Sequence, residues 1–196
     1  MTSRRQPAGN AVLQDDVTEA IAGAFFEELA DNGYGRLSVD AVARRAGVGK
    51  AAIYRRWNSK DRMAVELISA VAIAAIDLPD TGSLRGDVRE YLANARAALQ
   101  HPLVAKIVPD LLAEANRAGD LAEALLSAVR DPRRAKAAEL LHRAIARGEL
   151  PDDTDIDLCL DFLAGPLYWR LTAIHTPLPA GYLDRLTDKT VAAFLA

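Results

Sequence analysis

The sequence is poor in the residues that build disulfides, metal sites and catalytic centres. Among 196 residues it has one cysteine, Cys159, and three widely separated histidines. One cysteine cannot form a disulfide or a cysteine-based metal site within a single chain, and the histidines lack metal-ligand spacing. A glycine-rich phosphate loop, a nucleophile elbow and a His-Glu-x-x-His motif are all missing. We therefore expect no metal, no cofactor, no catalytic residues and no enzymatic activity.

Long apolar runs are also missing. The longest nearly apolar stretch, Met63 to Ile76, is too short to span a bilayer and contains Glu66. Arg4 and Arg5 near the start are not followed by an apolar stretch, so the N-terminus does not resemble a secretory signal. These features predict a cytoplasmic protein without a membrane segment.

Period-two alternation, the signal of a half-buried strand, does not occur, whereas helical spacing of apolar residues recurs along the chain. The predicted fold is all-α with about nine helices. The centre of the pattern is the stretch from Leu37 to Trp57. Ser38 is a predicted N-cap, Gly47 a predicted helix stop, and a second short helix is expected from about Lys50 to Trp57. Two short helices joined by a glycine turn predict a helix-turn-helix.

This stretch is strongly basic. Between Arg36 and Arg62 there are eight Lys or Arg against two acids, a balance of +6. The whole chain carries −3, so the remaining residues carry −9. One basic surface on an acidic protein favours double-stranded DNA as a partner.

The run from Leu37 to Trp57 and its continuation Asn58-Ser59-Lys60-Asp61 resemble the TetR family of bacterial transcriptional regulators. The resemblance is strong from about Asp15 to Ile76, and the segment from Ala144 to Leu171 resembles the C-terminal region of one branch of the family. It implies an N-terminal three-helix DNA-binding domain followed by a helical domain for ligand binding and dimerisation.

The residues expected at DNA are Ser38, Lys50, Ala51, Ala52, Tyr54, Arg55, Arg56 and Lys60. The resemblance implies phosphate contacts for Ser38, Tyr54 and Lys60. It implies base-edge contacts for Lys50, Ala51, Ala52 and Arg56, and Arg55 is added as an exposed cation of the same helix. The Ala51-Ala52 pair departs from the polar or proline residues of many members, so a thymine methyl is as suitable a target there as a hydrogen-bonding group.

The expected domains are residues 1–58, with a flexible arm at 1–10 and a first helix at about 15–32, and residues 59–196, entered through a linking helix at 59–76. Pro109 should bend the sixth helix, and a seventh helical region at 121–147 should be interrupted near Asp131-Pro132.

The last two helices, at about 155–174 and 180–195, are expected to form a homodimer. The first of them is apolar around most of its circumference and so requires burial on two sides. We place Leu163 and Phe194 in this interface.

A small-molecule effector is expected in the second domain. Its candidate contacts are Tyr91, Ile107, Leu111, Asn116, Phe162 and Trp169. The aromatic residues are also typical of a core or a dimer contact, and Asn116 of a helix surface. The sequence predicts a sequence-specific repressor released from its operator by this effector. An architectural DNA-binding protein without an effector is the alternative, and an α-helical enzyme is a third hypothesis without a recognisable site. The operator and the effector are not identified by the sequence.

Overall fold

The computed structural model describes residues 8–74, 78–115 and 119–196. Within these ranges the chain forms nine α-helices and one π-helical turn, Trp169–Ala173, and no strand. The prediction of an all-α fold with about nine helices is therefore confirmed. The helices are α1 (Ala8–Arg36), α2 (Val39–Ala46), α3 (Lys50–Tyr54), α4 (Lys60–Ala74), α5 (Leu84–Gln100), α6 (Pro102–Ala115), α7 (Gly119–Ala146), α8 (Ile156–Tyr168) and α9 (Tyr182–Phe194). None of the described helices combines the length and apolar composition needed to cross a bilayer.

The chain divides into two compact units, Met1–Leu67 and Ile68–Ala196. The division falls inside α4, which contributes residues to both units. The functional division between residues 58 and 59 stays a prediction.

The first unit is built around the apolar face of α1. Large side chains from all four of its helices are fully buried: Ile21, Phe25, Leu29, Val42, Ile53 and Met63. Ser38 caps α2 as predicted, its Oγ accepting from the Ala41 N–H at 3.2 Å. Gly47 ends α2 in the left-handed conformation, with φ 68° and ψ 25°. The N–H of the next residue, Val48, donates to the Ala43 carbonyl at 3.0 Å, and this bond closes the turn.

Several predicted boundaries were wrong. Helix α1 begins at Ala8, so residues 8–10 are helical instead of belonging to a flexible arm, and residues 1–7 lie outside the described residues. The predicted end near residue 32 does match the structure, because Gly33, with φ 73° and ψ 165°, breaks the helix there before a short continuation to Arg36. Helix α3 ends at Tyr54, three residues before Trp57.

Pro132 affects α7 less than the sequence suggested. Helix α7 continues through Pro132 without the expected interruption. Pro109 lies inside α6, and the bend expected there stays a prediction. Because proline removes one N–H and crowds the preceding turn, such a helix loses local stability without having to end. The buried side chains on the C-terminal part of α7, Ala137, Leu140, Leu141 and Ala144, anchor it in the core.

The core of the second unit lies where α5 packs against α8 and α9, and α7 packs against α8. Its fully buried members include Val88, Leu92, Leu140, Leu141, Leu163 and Leu167. Leu163 and Phe194 belong to this core, with 0% and 5% of their surfaces exposed. Their predicted place in a subunit interface is therefore wrong, because they already pack within their own chain.

A buried carboxylate fixes the start of α5. Asp87 is fully buried and accepts from the Thr81 N–H at 2.6 Å, the Thr81 hydroxyl at 2.8 Å and Arg147 Nη2 at 3.0 Å. Burial alone would raise the pKa of Asp87, but the bonds from Thr81 and the Arg147 guanidinium hold it below its usual value. Glu149 accepts from the Leu84 N–H at 2.9 Å. The chain after α7 thus fixes the N-terminal turn of α5.

One face of α8 remains outside this core. Leu158 and Phe162 on α8, and Trp169 at the start of the π-helical turn that directly follows it, are 52%, 45% and 61% exposed, and their spacing of four and seven residues places them along one side. Gly165 is exposed between them, with nothing within 4 Å of an added Cβ. This exposed stripe of α8 is apolar although it faces solvent in the single chain.

The turn of the helix-turn-helix should be sensitive to backbone conformation alone. We expect Gly47→Ala to lower the free energy of unfolding by about 1–2 kcal/mol, because an L-residue is disfavoured at its positive φ. Gly23→Ala is the matched control, since Gly23 is exposed inside α1 with open space around an added Cβ, and we expect it to stabilise by about 0.5–1 kcal/mol. Urea unfolding measures both, and equal effects of the two substitutions would contradict the role of the turn.

Candidate nucleic-acid interface

Helix α3 presents small and cationic residues to solvent. It begins directly after the turn at Gly47, and Ile53 is buried and anchors it on the first unit. Lys50, Ala51, Tyr54 and the C-capping Arg55 are exposed. No acidic residue lies within α3. Of the α3 residues expected at DNA, Lys50, Ala51 and Tyr54 are thus exposed and Ala52 is half-buried.

Lys50 forms an ion pair with Asp40 on this surface. Its Nζ lies 2.8 Å from Asp40 Oδ1 and 2.9 Å from Oδ2, which joins the first residue of α3 to the first turn of α2. The hydrogen bond to Asp40 raises the pKa of Lys50. The sequence did not predict this pair, because a separation of ten residues across a turn carries no helical spacing signal.

Arg56 is tied to the body of the first unit. Its Nε donates to the Thr18 hydroxyl of α1 at 2.9 Å, and its Nη1 donates to the Ala52 carbonyl at 3.0 Å. The side chain is half-buried, unlike the neighbouring exposed Arg55. Arg56 thus supports the packing of α3 on α1 in the free protein, and a base contact would require it to change partners.

Lys60 begins α4 and lies against Tyr34. Its Nζ is 4.2 Å from the centre of the Tyr34 ring and donates to the Tyr34 carbonyl at 3.2 Å. The Tyr34 hydroxyl donates to Asp61. These contacts fix the start of α4 on the segment that follows the break at Gly33. Both partners of the Lys60 ammonium, a carbonyl and an aromatic face, are uncharged.

A second ionic cluster reduces the basic character of the first unit. Arg45 at the end of α2 pairs with Glu27, Glu28 and Asp31 of α1 at 3.4, 3.1 and 3.0 Å. The bond to Asp31 raises the pKa of Arg45. The balance of +6 counted along residues 36–62 therefore overstates the positive charge at the surface, because carboxylates of α1 neutralise part of it.

The residues predicted to contact an effector lie in two separate parts of the second unit. Tyr91 on α5 and Ile107 and Leu111 on α6 lie on two helices that pack together. Phe162 and Trp169 belong to the exposed stripe of α8. Asn116 lies outside the described residues.

Tyr91 adds a polar contact to the region between α5 and α7. Burial raises the pKa of Tyr91, although the positive charge of the nearby Arg133 on α7 acts in the opposite direction. Arg133 Nη1 also donates to the Ala72 carbonyl in the last turn of α4, at 3.1 Å. A tyrosine, an arginine and the end of α4 are thus connected within the second unit.

Helices α1, α2 and α3 pack around a shared core, and the glycine turn leads into an exposed helix without acidic residues. This arrangement defines a helix-turn-helix protein. Two family models match the chain: "Bacterial regulatory proteins, tetR family" at residues 21–67 and "Tetracyclin repressor-like, C-terminal domain" at residues 78–190. The chain belongs to the TetR family of bacterial transcription regulators and is a DNA-binding regulator, as the sequence resemblance predicted.

Individual relatives are similar in sequence to this chain over most of their length. The chain is 32% identical over 182 residues to a DNA-binding transcriptional repressor, TetR, of Mycobacteroides abscessus, covering 90% of this chain and 92% of that protein. It is 31% identical over 153 residues to the uncharacterised regulator YdeS of Bacillus subtilis, covering 78% and 77%. The solved TetR-family regulator SCO0332 is 28% identical with a TM-score of 0.71, covering 90% of this chain and 97% of that one.

Proposed function

We propose that the protein is a sequence-specific repressor that a small-molecule effector releases from its operator. The observation that carries this proposal is the exposed face of α3, with Lys50, Ala51, Tyr54 and Arg55 directly after the turn. A short helix with small and cationic residues can enter a major groove, where small side chains allow close approach to the bases. One similar protein is named a repressor, which supports the direction of regulation. Since its target is DNA, we infer a cytoplasmic protein.

The residues at DNA divide into two roles in this proposal. Lys50, Ala51, Ala52 and Arg56 approach base edges, whereas Ser38, Tyr54 and Lys60 approach phosphates and Arg55 adds charge beside them. Lys60 contacts a carbonyl and an aromatic face and no carboxylate within ion-pair distance in the described residues, so its ammonium can contact a phosphate without first breaking an ion pair. Tyr54 is exposed at the end of α3 and has a hydroxyl that can donate to a phosphate oxygen.

Substitutions should separate the two roles. We expect Lys50→Ala to weaken operator binding by about 1–3 kcal/mol and to relax the preference at particular base pairs. We expect Lys60→Ala to weaken operator and scrambled DNA similarly and to lower the slope of log affinity against log salt by about one unit. Lys106→Ala, at an exposed lysine of α6, is the charge-matched control. Binding isotherms at several salt concentrations would reveal the difference.

An operator must first be selected from random duplex DNA. Equal affinity of the protein for the selected and scrambled sequences would remove the repressor proposal and favour the architectural alternative. An unchanged salt slope for Lys60→Ala would remove the phosphate role of Lys60 alone.

We further infer a homodimer in which the exposed stripe of α8 faces the same stripe of a second copy. Three large apolar side chains along one side of a helix are unusual at a solvated surface, and a self-complementary patch is typical of two-fold interfaces. Gly165 in the middle of the stripe allows close approach of the two backbones. Helix α9, proposed as the second element of the interface, adds the exposed Leu195 at its end. A dimer also suits the short α3, because two half-sites provide more sequence information than one.

The stripe can be tested by placing a charge in it. We expect Phe162→Glu to weaken self-association at least about tenfold, because an unpaired carboxylate in an apolar interface is costly and 1.4 kcal/mol corresponds to a factor of ten. Val71→Glu is the control, at an equally exposed apolar residue of α4. Sedimentation over a range of protein concentrations measures the effect, with far-ultraviolet circular dichroism as a check on folding. A wild-type monomer at micromolar concentration would contradict the dimer.

The effector is proposed to bind in the helical domain, next to Tyr91, Ile107 and Leu111. The position of Arg133, beside Tyr91 and bonded to the Ala72 carbonyl, supports this location, because a molecule that displaces the arginine also removes its bond to the end of α4. Since α4 contributes residues to both units, a change in its position can reach the DNA-binding helices. In a dimer, the half-sites are about 34–36 Å apart or a multiple of this, so a small displacement can prevent simultaneous docking.

This mechanism makes a reciprocal prediction. A compound that releases operator DNA should weaken operator affinity by about 5- to 150-fold, and operator DNA should weaken the affinity for the compound by the same factor. Titrating the compound into the free protein and into the protein–operator complex measures both factors. Equal affinity of the compound in the two titrations would contradict the coupling.

A further inference from the structure

The cations near α3 differ in the charge of their partners. Lys50 lies within 2.9 Å of both oxygens of the Asp40 carboxylate, whereas Lys60 donates to a carbonyl and lies over an aromatic ring. Lys50 is therefore paired directly with a carboxylate before DNA arrives, whereas the carboxylate next to Lys60, that of Asp61, accepts from the Tyr34 hydroxyl. Both lysines lie in the basic segment of residues 36–62, so the sequence alone did not distinguish between them.

The pair of Lys50 and Asp40 is accessible to a ligand. The side chains of Lys50 and Asp40 are 48% and 59% exposed. An exposed pair of this kind contributes little to stability and is easily opened. An ammonium group has three N–H donors, so the contact with Asp40 also leaves donor capacity toward solvent. The pair can accordingly influence what Lys50 binds without preventing it from binding.

Asp40 distinguishes between the two kinds of acceptor on DNA. A phosphate carries a negative charge and is repelled by a carboxylate beside the lysine, whereas the N7 and O6 acceptors of guanine are uncharged. Phosphates occur on every sequence, but suitable base acceptors occur only at particular positions. A carboxylate next to Lys50 thus lowers the affinity for nonspecific DNA more than it lowers the affinity for a matched operator site.

We propose that Asp40 is a specificity-determining residue, which neutralises Lys50 toward backbone phosphates and leaves it to donate to uncharged acceptors on base edges. This inference rests on the proposed DNA-binding function of α3. Asp40 acts through Lys50 and is therefore a positioning residue, with no base contact of its own.

The test compares Asp40→Asn with the wild type on the selected operator and on scrambled duplex at several salt concentrations. We expect Asp40→Asn to bind scrambled DNA about 3- to 10-fold more tightly, with a salt slope on that DNA steeper by about one unit, since one more cation becomes available to phosphates. Operator affinity should change by less than about threefold, so the ratio of specific to nonspecific affinity falls.

Asp31→Asn is the matched control. It removes one negative charge from the same unit, but Arg45 keeps Glu27 and Glu28 as partners, so no cation is released. We expect the specificity ratio of Asp31→Asn to stay within about twofold of the wild type, since it differs only in long-range charge. In a Lys50→Ala background, Asp40→Asn should no longer lower the ratio. Asp40 is exposed, and thermal unfolding of each variant checks that the fold is retained.

Each contrary result has a separate meaning. A parallel rise of operator and scrambled affinity in Asp40→Asn would overturn the proposal, because it would reflect general charge alone. A selective loss of operator affinity would also overturn it, because Asp40 would then contact a base directly. If the wild type itself binds both sequences equally, the proposed function fails together with this inference. If the wild type discriminates and the variant has the same ratio, only the role of Asp40 fails.

Discussion

The surface proposed to meet DNA depends on the left-handed turn at Gly47. The turn directs the chain from α2 into α3, and the hydrogen bond from the Val48 N–H to the Ala43 carbonyl closes it. With only five residues, α3 is too short to be stable by itself, so its orientation comes from this turn and from the buried Ile53. The position of Lys50 relative to Asp40 follows from the same geometry, because the two residues begin the helices on either side of the turn.

Features that depend on neighbouring residues were readable from the sequence. The cap at Ser38 and the stop at Gly47 require only local hydrogen bonds and backbone conformation. The partners of Lys50, Arg56 and Lys60 were not readable, because each of these contacts depends on how helices cross in three dimensions. Lys50, Ala51 and Tyr54 were expected at DNA and are exposed, whereas Ala52 is half-buried. The ion pair or hydrogen bonds that each cation makes in the free protein could not be predicted.

The errors in the second unit have the same origin. Pro132 was expected to interrupt α7, since local chemistry disfavours proline inside a helix. The helix continues because the following turns are held by packing, which the local rule does not include. Leu163 was assigned to an interface because helix α8 is apolar on several sides, and Phe194 because the last helix was expected to complete the same interface. Periodicity shows that such a helix has more than one apolar face, but only the fold shows which face its own chain already covers.

Two-fold symmetry changes the weight of small electrostatic effects. In the proposed dimer, each residue of α3 acts at two half-sites, and contributions from well-separated positions add in free energy. A factor that applies to one half-site is therefore approximately squared for the whole operator. An exposed ion pair such as that of Lys50 with Asp40 contributes little to the stability of one chain. Repeated at two half-sites and compared between matched and unmatched DNA, the same pair can alter operator discrimination substantially while leaving the fold unchanged.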